Sequence, residues 1–437
     1  PIFDVKISNP FQLLPLGPDM GWSETDLLGP EGEDWRIPVS ELENRQSNLS
    51  KELEKAGIDG ALLHHPVDLY YFCGGRQDSA MYIPAKSAES SPVQYVRRSL
   101  KRAQFEAGGD DSVHEIVSFP RLSQLYDDLR LRGVNKMPSM QLSNIPYSFG
   151  LKFKNALSGF NSELIDCNFL IHKIRETKSE WEIEQMKTSA EVQLQMFDAI
   201  GALGCEGVTE LELTASAEAI SRAAGFGGEV PMRRYPMQCN RGVVVAGRSG
   251  GIPSFFDAAV GGSGPYSGSG MGSGFRKIKA GEPVLVDLLH AHRGYIVDMT
   301  RMFVVGSLSK EWESRLEDMQ SIKEEVVDIL HQRKTCADAW NAGYELACEL
   351  GYSEHLMGMK PDQSRFLGHG VGLELDESPV IAKGFGDSLS TGNTIAIEPK
   401  AVFSEGSIGT EDTWLMTDSG MEPLTAGAAF PWVFEWE

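Results

Sequence analysis

Two stretches of this chain each hold a spaced pair of acids within largely apolar strand patterns. One is VLVDLLHAHRGYIVDMTRMF, with Asp287 and Asp298; the other is NTIAIEPKAVFSEGSIGTEDTWLMT, with Glu398 and Glu411. A carboxylate flanked on both sides by Val, Leu and Ile cannot stay ionised in a core unless something neutralises it. If the first stretch folds back on His292 and Arg293, and the second on Ser404 and Glu405, Asp287 comes to lie opposite Asp298 and Glu398 opposite Glu411. Opposed Cβ atoms in an antiparallel pair are ~5 Å apart, a distance at which like charges destabilise.

Lysine or arginine partners would answer the problem for any one acid. Two pairs with the same geometry are better answered by divalent ions, because carboxylates this close can bridge two metals. His369, in FLGHGVGLELDESPV, joins the set, since the glycines around it let an imidazole on a turn approach an ion without crowding. Four oxygen donors and one nitrogen favour manganese, iron, cobalt or zinc in a two-ion centre. The other histidines fit less well. His290 and His292 alternate out of phase with Asp287 and face the other side of the strand, and His64 and His65 read as structural.

At 437 residues the chain exceeds one ordinary core and divides in two. Residues 1–35, rich in Pro and Gly without a period, read as an extended arm. Residues 36–170 then read as an α/β domain. It opens with the helix SELENRQSNLSKELEKAG, which carries a Ser40–Glu43 capping box and a stop at Gly57, and continues with strands in IDGALLHH, SAMYIP and PVQYVRR.

Residues 171–437 form an α plus antiparallel β domain. Capping boxes Ser179–Glu182 and Thr209–Glu212 open its first two helices, strand-like runs follow, and helical segments lie near 310–332 and 337–351. The glycine- and serine-rich stretch 261–274 lacks the lysine of a phosphate loop and reads as a mobile loop able to line a pocket.

The net charge of −22 argues against nucleic acid or an anionic membrane as partner. Six cysteines without CxxC spacing argue against a zinc knuckle or redox dithiol and suit a reducing compartment. With no charged-then-apolar leader and no apolar run approaching 18 residues, the expected location is the cytoplasm.

The spaced set Asp287, Asp298 in DMTR, His369 in GHGVG, Glu398 in IEPK and Glu411 in TEDT resembles the pita-bread metallopeptidases, which include methionine aminopeptidase, Xaa-Pro aminopeptidase, prolidase and the metal-free relative creatinase. The resemblance implies a creatinase-like N-terminal α/β domain followed by a pita-bread α+β catalytic domain, and a homodimer. It also implies two divalent ions (Mn, Zn, Co or Fe) on those five residues, with a hydroxide between them that attacks a carbonyl. Glu398 would help to move the proton, and the Thr300 hydroxyl would stand beside Asp298.

Three positions depart from the proline-specific members. Asp376 and Ser254 stand where those enzymes carry histidines, and Gly409 where they carry an arginine. Ser254 and Asp376 are therefore expected at the catalytic and substrate end, with Arg241 and Tyr235 also binding substrate. Asp376 suits either a cationic group of the substrate or one of Arg233, Arg234, Arg241 and Arg248.

The expected function is a dinuclear hydrolase cleaving a peptide or amide bond of a short peptide, of the Xaa-Pro aminopeptidase or dipeptidase type. One alternative is a non-peptidase acting on a small zwitterion, similar to ectoine hydrolase or the dimethylsulfoniopropionate lyase of this fold. The other is a binding protein that has lost its chemistry.

Overall fold

The computed structural model describes residues 22–234, 239, 242–255, 257–427 and 430–437. Tyr235 and Arg241, expected at the substrate end, and most of the expected arm lie outside the described residues.

The first unit is built on a five-stranded sheet of β1 (Gly60–Leu63), β2 (Ser79–Pro84), β3 (Val93–Val96), β4 (Glu115–Ser118) and β5 (Ser139–Met140), in the order β4-β3-β2-β1-β5. Its inner pairs are antiparallel and its outer pairs parallel. Helices α1 (Val39–Lys55), α2 (Pro66–Cys73), α3 (Leu100–Glu106), α4 (Leu125–Leu131), α5 (Tyr147–Ala156) and α6 (Asn168–Glu176) surround it. The Ser40–Glu43 capping box does not form. Helix α1 begins one residue before Ser40, capped at Pro38, whose carbonyl accepts from Glu41 and Leu42, so Ser40 is already inside the first turn. The stop holds: Gly57 has φ +69°.

The second unit opens with α7 (Glu180–Leu203) and α8 (Glu210–Ala223), both with the expected capping boxes. Strands β6 (Gly242–Ala246), β7 (Val284–His292) and β8 (Tyr295–Val305) follow, then α9 (Lys310–His331) and α10 (Cys336–Glu349). The chain ends with β9 (Phe366–Gly370), β10 (Glu377–Ala382), β11 (Thr394–Ile397), β12 (Lys400–Phe403), β13 (Gly406–Gly409), β14 (Asp412–Thr417), β15 (Gly420–Pro423) and β16 (Val433–Trp436). These strands make one sheet in the order β16-β8-β7-β6, a second in the order β10-β9-β11-β14-β15, and the separate hairpin β12-β13.

Strand alternation then sorts the side chains. Val244, Val286, Leu288, Met299 and Phe303 face α7 and α8, where they meet Met196, Phe197 and Leu213. Val243, Leu285, Met302 and Val304 face inward and share a core with Leu367, Ile395 and Ile397 of the second sheet and with α9. Asp287 and Asp298 have the parity of this inner face. The glycine- and serine-rich stretch is a loop as expected, but it is pinned rather than loose: Ser273 Oγ accepts from Val244 N, and buried Glu210 accepts from Gly274 N and Ala246 N.

Candidate metal centre

The β7–β8 hairpin turns on Arg293 and Gly294, with φ +50° and +89°, the positive pair that a two-residue hairpin turn requires. Turning one residue later than expected shifts the register by two. Asp287 is paired with Thr300, and Asp298 with Leu289. A shift of two preserves the face, so both acids still point inward, diagonal rather than opposed. The second stretch keeps the expected register: Ile397 pairs with Asp412 and Lys400 with Gly409, which brackets Glu398 opposite Glu411. Each arm of this hairpin is split into two strands, β11 and β12 on one side and β13 and β14 on the other, and the first break falls at Pro399, which has no N–H to continue the ladder. The two sheets meet at these residues, where Thr300 N bonds to Glu411 O at 3.3 Å.

His369 lies in β9, not on a turn, between Gly368 and Gly370. A Cβ at Gly368 would come within 2.2 Å of Ala396 O, and one at Gly370 within 2.3 Å of Ser378 O, so both glycines are needed for the neighbouring strands to close around the histidine. Its Nδ1 donates to Gly370 O at 3.2 Å, which leaves Nε2 directed at Glu398 Oε1, 3.3 Å away.

Asp298, His369 and Glu411 each place one ligand atom within 4.8 Å of the others. Asp298 Oδ1 and Glu411 Oε1 are buried and accept no hydrogen bond from the described residues. Two orphaned carboxylate oxygens beside an imidazole nitrogen fit a divalent ion, since a group buried this way is otherwise costly. Thr300 Oγ1 donates to Glu411 Oε2 at 2.8 Å, so this hydroxyl orients the Glu411 carboxylate.

One participant is absent from the sequence reading. Lys400, wholly buried, extends its ammonium into the acids, 2.6 Å from Glu398 Oε2, 2.7 Å from Glu411 Oε2 and 3.7 Å from Asp287 Oδ2. The alternation Glu398–Lys400 on one strand face was the available signal.

The acids respond unequally. Burial pushes Glu411 up to about 8, with Lys400 opposing and the charges of Glu398 and Asp287 adding to the rise. Asp298 is raised well above the usual range by burial and by Glu411 and Asp287. Burial also works against ionised Glu398, but Lys400 and His369 outweigh it and hold that carboxyl at about 2. For His369, burial disfavours the imidazolium, and Glu398 overcomes this to raise it to about 9. Without a metal the cluster therefore holds protons that a divalent ion would displace.

Asp287, Asp298, His369 and Glu398 open onto a cavity of about 90 Å3. Its walls are apolar (Met232, Val260, Met271, Leu289, Phe366 and Leu375) apart from the acids Asp257 and Asp376. Asp376 meets two of the expected arginines, Arg233 and Arg234, through their backbones rather than their side chains. Its oxygens accept the backbone N–H groups of Arg233 (2.6 Å) and Arg234 (3.2 Å), while the Arg233 side chain reaches Glu374 and Ser378 instead. Ser254 lines a different cavity, with Gly358, Lys360 and Val402, and does not reach the one that holds the ligands. The loop after η-turn residues 247–251 carries it past the site, and Asp257, three residues on, lines the wall instead. His290 is buried on the far face against Ser221, as its parity requires. His64 packs on Phe149 and Phe153 in the first unit.

The chain belongs to metallopeptidase family M24, whose model matches residues 184–418, with the creatinase/prolidase N-terminal domain over residues 45–177. It is thus a hydrolase with the pita-bread fold behind a creatinase-type domain. Among its relatives is an Xaa-Pro dipeptidase of Pyrococcus furiosus, 25% identical over 385 residues, which cover 88% of this chain and 98% of the relative. Similar solved structures include an Xaa-Pro dipeptidase from Bacillus anthracis (TM-score 0.73, 22% identity, 90% of this chain and 99% of that one) and an X-Pro aminopeptidase from Thermotoga maritima (TM-score 0.72, 20% identity, 88% and 100%).

Proposed function

We propose that this protein is a metal-dependent hydrolase of short peptides, of the Xaa-Pro aminopeptidase or dipeptidase type, using manganese, zinc, cobalt or iron. The observation that carries the reading is the orphaned oxygen pair, Asp298 Oδ1 and Glu411 Oε1, beside His369 at a cavity that opens to a substrate. A bound divalent ion would polarise the scissile carbonyl and make water more acidic.

The chain's own groups supply the rest. Glu398, kept ionised by Lys400 and open to the cavity, is the acceptor for a proton from the attacking water. The apolar wall excludes bulk water and holds a small side chain. A volume of about 90 Å3 exceeds the ~10–15 Å3 that one water needs several times over, so a small side chain fits. Asp257 and Asp376 make the rim acidic, which suits the free amino group of a peptide. The same rim supports a second reading, a small zwitterion bearing a cationic group.

Hydrolysis of a panel of Xaa-Pro dipeptides and tripeptides in the presence of manganese, cobalt or zinc, set beside small zwitterions, tests both readings. Turnover of proline peptides is expected. Turnover only of a zwitterion would establish the second reading, and turnover of neither would defeat both.

A further inference from the structure

The acids of the centre already have a cation, and it belongs to the chain. The Lys400 ammonium lies among three of the four carboxylates and is completely shielded from solvent. It is admitted by its cross-strand partner. Gly409 pairs with Lys400, and a Cβ there would come within 2.5 Å of Lys400 Cγ, so any other residue at 409 would obstruct the inward path of the lysine.

The contacts divide the ligand atoms into two sets. Glu398 Oε2 and Glu411 Oε2 accept from Lys400, and Glu411 Oε2 also accepts from Thr300, while Asp287 faces the ammonium. Glu411 Oε1 and Asp298 Oδ1 accept nothing from the described residues, and Glu398 Oε1 lies 3.3 Å from His369 Nε2.

We propose that Lys400 takes the place of a second metal ion, so that the centre binds one divalent ion per chain, on Asp298, His369 and Glu411 with Glu398 Oε1 beside them. Asp287 then neutralises the lysine rather than ligating metal. Charge supports this count. Four carboxylates carry −4, which the ammonium and one divalent ion bring to −1; a second divalent ion, even with a hydroxide between the metals bringing the sum to 0, would set two metals and an ammonium against one another in a buried site. The proposal rests on the metal-dependent reading above.

The test is metal stoichiometry, independent of turnover. The full-length protein, stripped with chelator, is titrated separately with manganese, cobalt and zinc, and bound metal is counted by native mass spectrometry and elemental analysis. One ion per chain is expected in the wild type and in Asp287→Asn, with affinity changed less than ~10-fold by that substitution, whereas His369→Ala should lose more than ~100-fold. In Lys400→Gly the count should rise to two. If that variant does not fold, the wild-type and Asp287→Asn counts still decide. Two tightly bound ions in the wild type, or loss of the ion in Asp287→Asn, would overturn the single-ion centre and leave the hydrolase reading standing. No bound ion with any of the three metals would overturn both.

Discussion

At the scale of single residues, the site depends on groups that orient others. The Thr300 hydroxyl holds Glu411 Oε2, and Thr300→Val keeps the shape while removing the donor. Metal affinity should fall ~10- to 100-fold with the fold intact by circular dichroism; a change under threefold would show that the ligand holds its own position. The resemblance puts Asp376 where the proline-specific enzymes carry a histidine, which on sequence alone makes Asp376→His the substitution expected to restore their chemistry. The structure argues otherwise, because this carboxylate accepts two backbone N–H groups and a neutral imidazole accepts at most one. Asp376→His is expected to speed amide exchange at residues 233 and 234 and to raise KM. A gain in turnover of proline peptides with unchanged exchange would contradict this.

At the scale of elements, the helices of the second unit were legible because their start signals are local. Ser179 and Glu182 cap each other across one turn, and nothing distant is needed for them to do so. Ser179→Ala should cost about 1 kcal/mol, read as a lower denaturant midpoint, and slightly more here because Ser179 Oγ also donates to Glu41 of α1. No change in the midpoint would show that the cap is dispensable. The β7–β8 register was less legible. Alternation locates the faces but not the turn, and the turn falls on Arg293–Gly294 because glycine takes φ +89° without strain. Ser40 misled for a related reason: Pro38 had already begun the helix.

At the scale of the whole molecule, the two units are joined by buried charge. Arg175 of α6 reaches Asp68 in α2 (2.9 Å), Glu374 (2.9 Å) and Glu377, the last two just beyond the His369 strand, and Lys178 also holds Glu377 at 3.0 Å. A second bridge runs from Arg45 to Glu182 (3.4 Å) and the Tyr295 hydroxyl (2.8 Å). Arg175→Met would remove the charge shared by three buried acids and should destabilise by about 3–5 kcal/mol, seen as a lower thermal midpoint; a variant as stable as wild type would show that the acids are neutral. The same network sets an acid limit. Burial disfavours ionised Asp68, but Arg175 and His65 outweigh it and hold its carboxyl at about 2, below the ordinary 3.8. A depressed carboxyl contributes stability that is complete above pH ~4 and is lost as pH falls from there towards 2. The thermal midpoint should drop over that interval, and less steeply in Asp68→Asn.

What the sequence determined alone was the set of acids in the apolar strands and the face they share, because alternation along a strand is a property of consecutive residues. Asp287, Asp298, Glu398 and Glu411 had to point one way if their apolar neighbours pointed the other. Only the tertiary structure decided which groups meet those acids. That Lys400 enters through the space above Gly409, that Asp376 ties down residues 233 and 234, and that Ser254 passes the site by are all consequences of how separate strands and loops converge. A buried charge takes its partner from whatever the fold brings within ~3 Å, and that distance is not written in the order of residues.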